Sequence, residues 1–145
     1  MTDWKGAAGD AGRRLRRNGL IGSALALLIL AIAPPTAGVH GFTAPLGWWL
    51  LLAFCLLPLA VSVHLLFDAA LFRLAASHDA EETGLSAIDD VLSRMGLRAR
   101  DHTPRPLVER LQGCRRLVWF QRASLAIGVL LYAILLLDAM DGRGA

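Results

Sequence analysis

NGLIGSALALLILAIAPPTAGVHGFTAPLGWWLLLAFCLLPLAVSVHLLF, residues 18–67, holds no Lys, Arg, Asp or Glu. A soluble domain within a chain of 145 residues has no use for such a stretch. A bilayer does, because about 20 apolar residues wound as a helix cross its ~30 Å hydrocarbon core. Pro34-Pro35 and then Pro45 divide the stretch, so it reads as two spans joined by a short turn. A further apolar run, Ala123 to Leu137, lies between Arg122 and Asp138 and supplies a third.

The composition agrees. Hydrophobic residues make up 55% of the chain, above the ~45–50% usual for soluble domains. The net charge of +3 comes from surplus arginine, which in a membrane protein sets topology, so no nucleic-acid partner is expected. Cys55 and Cys114 stand apart with no CxxC, so neither a disulfide framework nor a zinc site is implied. The acidic run His78-Asp79-Ala80-Glu81-Glu82 has no second His and no HExxH spacing, and reads as a solvated linker. No GxSxG, phosphate-cradling glycine loop or haem-attachment CxxCH is present. The expectation is therefore a protein that is not an enzyme and carries no metal or cofactor.

The segments follow from these marks. Residues 1–18 form a basic N-terminal tail, 19–39 the first span, 40–45 a short outer loop and 46–76 the second span. Residues 77–116 form a helical loop, 117–138 the third span and 139–145 the outer tail. The fifteen residues from Gly19 to Ala33 cover only about 22 Å as a helix, so the first span borrows residues past the prolines to Val39. Pro34, directly after Ala31-Ile32-Ala33, suits an uncleaved anchor better than a signal peptide. Trp48 and Trp49 mark one interface and Trp119 the other, and Pro58 predicts a kink in the second span.

Basic residues set the orientation. The tail has Lys5, Arg13, Arg14, Arg16 and Arg17; the connection from Pro34 to Pro45 has none. The large loop has Arg73, Arg94, Arg98, Arg100, Arg105, Arg110, Arg115 and Arg116, and the C-terminal tail only Arg143. By the positive-inside rule the N-terminus and the large loop are cytoplasmic, and the C-terminus is outside a bacterial-type inner membrane.

In the large loop, Ser86 followed by Asp89 reads as an N-cap, with Ile88, Val91, Leu92 and Met95 on one stripe and Gly96 as the stop. So short a helix must lay that stripe on something: the membrane surface, the ends of the spans, or a partner protein. A second helix starts at Pro106 and carries Leu107, Leu111, Cys114 and Val118 into the third span, as a stalk rising about 15 Å from the membrane. On it, Arg110, Arg115 and Arg116 suit anionic lipid headgroups.

His64 and Asp68 are four residues apart on the second span, and Arg122 sits at matching depth on the third. Ionisable groups at membrane depth are costly, so an Asp68–Arg122 pair beside His64 is expected. Gly22-xxx-Ala26 offers a close-packing face. Together these describe an all-α membrane protein with three transmembrane helices, a cytoplasmic amphipathic helix and a helical stalk. The function expected is that of a small accessory or scaffold protein assembling with other membrane subunits or with copies of itself. A transporter or channel component using His64, Asp68 and Arg122 is the alternative, and a membrane-interface enzyme comes last.

Overall fold

The computed structural model describes residues 4–37, 44–96 and 107–141. The expected end of the first span at Val39, the loop residue His40 and the connection 97–106 lie outside the described residues. Four helices are present: α1 (Trp4–Thr36), α2 (Ala44–Ala76), α3 (Glu81–Arg94) and α4 (Leu107–Asp141). There is no strand among the described residues, so the fold is all-α. Three of the helices, α1, α2 and α4, are long and apolar enough to cross a membrane. The chain is a small multi-pass membrane protein.

At 1.5 Å per residue the 33 residues of α1 extend about 50 Å, well beyond a ~30 Å hydrocarbon core. The surplus lies at one end of the bundle. There the arginine-rich start of α1, the last turns of α2, the first turns of α4 and the whole of α3 gather; we call it the charged end. The basic N-terminal segment is thus not a separate tail but the first half of α1. Its signal was the spacing of small residues: Ala8, Gly12, Leu15, Gly19, Gly22, Ala26 and Ala33 are buried along one face. That face lies along α2, its main partner. A Cβ at Gly12 would sit 3.3 Å from the Ala69 carbonyl oxygen, so the backbones approach as only small residues allow.

α2 runs unbroken through Pro58. Pro58 has no N–H to give to the Phe54 carbonyl, and α4 passes that point with Gly128, where a Cβ would lie 3.7 Å from the same oxygen. At the end opposite the charged one, Ala33, Ala37, Leu51, Cys55 and Leu135 form a core cluster. Trp48 turns inward onto it, while Trp49 faces outward. The Thr36 and Tyr132 hydroxyls share a 2.8 Å hydrogen bond there, joining α1 to α4.

α3 begins earlier than the Ser86 cap predicts. Ala80 is its N-cap and has no side-chain capping bond. Ser86 lies inside the helix and donates to the Thr83 carbonyl at 3.1 Å. Glu81 and Glu82 occupy the first turn, where their charge favours the positive end of the helix dipole. The far end stops as expected, at Gly96 with a left-handed φ of 69°.

Candidate functional site

At the charged end, α2, α3 and α4 enclose an open pocket of about 710 Å³. α2 contributes His64, Phe67, Asp68, Leu71 and Phe72; α3 contributes Ile88 and Leu92; α4 contributes Glu109, Arg110, Gly113, Cys114 and Leu117. The Cys114 thiol donates to Asp68 Oδ2 at 3.5 Å, a weak bond at that length. A stronger one crosses from α3 to α4: Arg110 Nη2 donates to Asp89 Oδ1 at 2.5 Å. Those side chains are only 14% and 21% exposed, so solvent screens the pair less than it would a surface one.

Arg122 is not in this cluster. Its guanidinium donates to Asn18 Oδ1 on α1 at 3.4 Å, and the expected Asp68–Arg122 pair does not form. The reason is register as well as azimuth. Cys114 is the α4 residue that faces Asp68, and Arg122 lies eight residues, about 12 Å, further along α4, level with the Ser62 turn of α2 that Gln121 meets. Eight residues at about 100° each turn Arg122 some 80° away from that direction, toward α1. Gln121, seven residues after Cys114, returns to the inward face. It is buried, and its Nε2 donates to Ser62 Oγ on α2 at 2.6 Å. Gly22 of α1 lies directly against the Gln121 amide, with no room for a Cβ. The Gln121–Ser62 bond is not among the contacts that the charge pattern predicts. Its signal was an amide at a heptad step from Cys114 within an apolar run.

The expected α3 stripe is largely covered. Ile88 is buried with Leu85 against Leu71 and Ala75, with Phe67, Val91, Leu92 and Trp4 packed around them. Only Met95, 56% exposed, remains outside. Of the surfaces left open by the sequence, the one that meets the stripe is the end of a span. Gly84 makes the approach possible: a Cβ there would lie 2.8 Å from the Ala75 carbonyl oxygen and 2.7 Å from Trp4 Cη2.

The start of α1 holds this unit from the other side. Trp4 Nε1 donates to the Asp79 carbonyl at 3.4 Å, and Lys5 Nζ donates to Asp79 Oδ1 at 2.6 Å. The Lys5 hydrogen bond and charge hold the Asp79 carboxyl below its ordinary range. Asp79 of the acidic run thus ties α1 to the α2–α3 turn, and no metal-binding group of three or more His, Cys, Asp or Glu occurs among the described residues.

The three arginines assigned to lipid headgroups separate. Arg110 turns inward to Asp89, whereas Arg115 and Arg116 are exposed. Arg115 borders a trough between α1 and α4 that includes Arg14, Leu15, Asn18, Leu111 and Val118. Beside it lies a second pocket of about 710 Å³, lined by Asp10, Arg13, Arg14, Arg17, Asn18 and Arg122. No protein-family model matches the chain, nor does any curated protein or solved structure.

Proposed function

We propose that the protein is a non-enzymatic accessory or scaffold subunit that assembles with other membrane proteins or with further copies of itself. Its place is a bacterial-type inner membrane, with the charged end in the cytoplasm and the C-terminus outside, as the basic residues of the sequence indicate. The observation that carries this reading is how the polar groups of the spans are used. Gln121 bonds Ser62, Thr36 bonds Tyr132, and Ser23 and Ser124 bond carbonyls of their own helices. The first two join helices and the serines bond within their own helix, where a solute path needs polar groups left facing a cavity. His64 and Asp68 border a pocket confined to one end, which gives a transporter little to work with. Meanwhile large apolar side chains such as Leu28, Leu130, Ile134 and Leu137 face outward, toward lipid or neighbouring spans.

The contact surface in the cytoplasm is the outer side of α3 with the cleft between α3 and α4. Purification in mild detergent tests the reading. A membrane subunit retained in fixed ratio, and crosslinked from a photoreactive group at Met95, is the expected result. A chain that purifies alone and crosslinks to nothing from Met95 overturns it. Reporter fusions after Arg17, after Arg100 and at Ala145 test the orientation, which fails if the Arg100 fusion reports the outer compartment.

A further inference from the structure

The α1–α4 seam at the charged end brings four guanidinium groups to one pocket: Arg13, Arg14 and Arg17 from α1 and Arg122 from α4. Only one carboxylate, Asp10, lines the same pocket, and it pairs with Arg13. Among the described residues Arg14, Arg17 and Arg122 have no carboxylate partner; Arg122 has only the neutral amide oxygen of Asn18. The positive-inside rule accounts for arginines beside the first span. It does not account for Arg122, which follows the exposed Trp119 by nearly a turn on another helix and still points into the same pocket. Like charges brought together in one pocket repel. An anion removes that cost.

We propose that this pocket binds the headgroup phosphate of an anionic phospholipid, with Arg14, Arg17 and Arg122 as the phosphate ligands. Guanidinium forks match phosphate oxygens in pairs, and basic pockets between spans suit anionic headgroups. The phosphate would add charge-assisted bonds joining the start of α1 to α4, beside the Asn18–Arg122 bond and the apolar packing of Leu15. The site differs from the Arg110, Arg115 and Arg116 group, whose first member is occupied by Asp89.

The test uses the full chain in nanodiscs of phosphatidylcholine carrying phosphatidylglycerol, extracted gently and weighed by native mass spectrometry. Wild-type protein should retain phosphatidylglycerol. Arg122→Gln, which leaves the basic residues before the first span intact, should lower retention about tenfold, the loss typical of one charge-assisted bond. Arg94→Gln, at an exposed arginine of α3 paired with Asp90, should leave retention unchanged. Equal losses in the two variants would show general attraction to a basic surface and overturn the site. Displacement of the lipid by soluble glycerol phosphate or inorganic phosphate would show a free phosphate as the ligand and overturn the lipid assignment. If Arg122→Gln does not accumulate, Arg17→Gln reads the same pocket, and wild-type retention in that variant overturns the proposal.

Discussion

Gln121 on α4 donates its amide N–H to the Ser62 hydroxyl on α2 across 2.6 Å. That hydroxyl in turn donates to the Pro58 carbonyl at 2.6 Å. The chain of bonds is buried at the point where α1, α2 and α4 meet, with Gly22 against the amide. Hydrogen bonds between membrane helices contribute about 0.6 kcal/mol on average and up to ~1.7. Ser62→Ala and Gln121→Leu should each destabilise the protein within that range, and the double mutant should lose less than the sum. Gly22→Ala should push the amide off Ser62, so its cost should shrink when Ser62 is already Ala. Unfolding in detergent, read by protease resistance, measures all three; fully additive losses would contradict the bond.

Gly84 and Gly113 are both helical glycines and should respond in opposite directions. Gly84→Ala drives a methyl into the Ala75 carbonyl and Trp4, an overpacking that costs about 1–3 kcal/mol. α3 should lift from α2, and proteolysis at the α2–α3 turn should quicken. Gly113 has nothing within 4 Å of a new Cβ, so Gly113→Ala should gain up to ~1 kcal/mol of helix propensity. A Gly84→Ala protein as protease-resistant as wild type would mean that α3 is not held this closely.

Charge pairs should couple along the bonds that form. Asp89→Ala and Arg110→Ala remove partners of a half-buried ion pair and should show a coupling of about 0.5–3 kcal/mol in a double-mutant cycle. Asp68→Ala and Arg122→Ala touch different helices, Asp68 meeting Cys114 and Arg122 meeting Asn18. Their effects should add within about 0.5 kcal/mol. A strong Asp68–Arg122 coupling would restore the pairing that the structure lacks.

Acid should loosen the α1–α3 clasp. The Asp79 carboxyl has its folded pKa lowered from 3.8 by the Lys5 hydrogen bond first and the Lys5 charge second. A depressed carboxylate contributes its stability above its unfolded value and loses it as pH falls through the folded one. The contribution is therefore complete at neutral pH and fades below pH 3.8. Asp79→Asn should abolish this acid-side change, and high salt should weaken it, because the group is fully exposed. Proteolysis near the α2–α3 turn, followed across pH in both proteins, gives the comparison; identical profiles would remove Lys5 and Asp79 from the clasp.

The spans were legible because lipid demands a composition that nothing else in a short chain requires. The stop at Gly96 was legible because a left-handed residue favours glycine. The start of α3 was not. Its first turn, Glu81-Glu82-Thr83, resembles a solvated linker, and Ser86 mimics a cap one turn late. The Asp68–Arg122 pairing fails for a general reason: counting residues from interfacial tryptophans ignores the offset and rotation of each helix, and Cys114 rather than Arg122 stands opposite Asp68 while Arg122 lies beside the Gln121–Ser62 level. Leu85, Gly84 and Trp4 were missed for a related reason. A span end projecting beyond the bilayer becomes a docking platform, and its partners are chosen by shape rather than by any motif.

The Lys5–Asp79 contact joins positions 74 residues apart, and that separation gives assembly a temporal order. Residue 5 is synthesised before residue 79, so the carboxylate that Lys5 meets and the carbonyl taken by Trp4 are made only after the second span has been synthesised. Until then the first turn of α1 has no seat, and Trp4 is open to chaperones or to the lipid surface. Closure of the clasp can thus serve as a timestamp for insertion of the first two helices, readable in stalled nascent chains of increasing length.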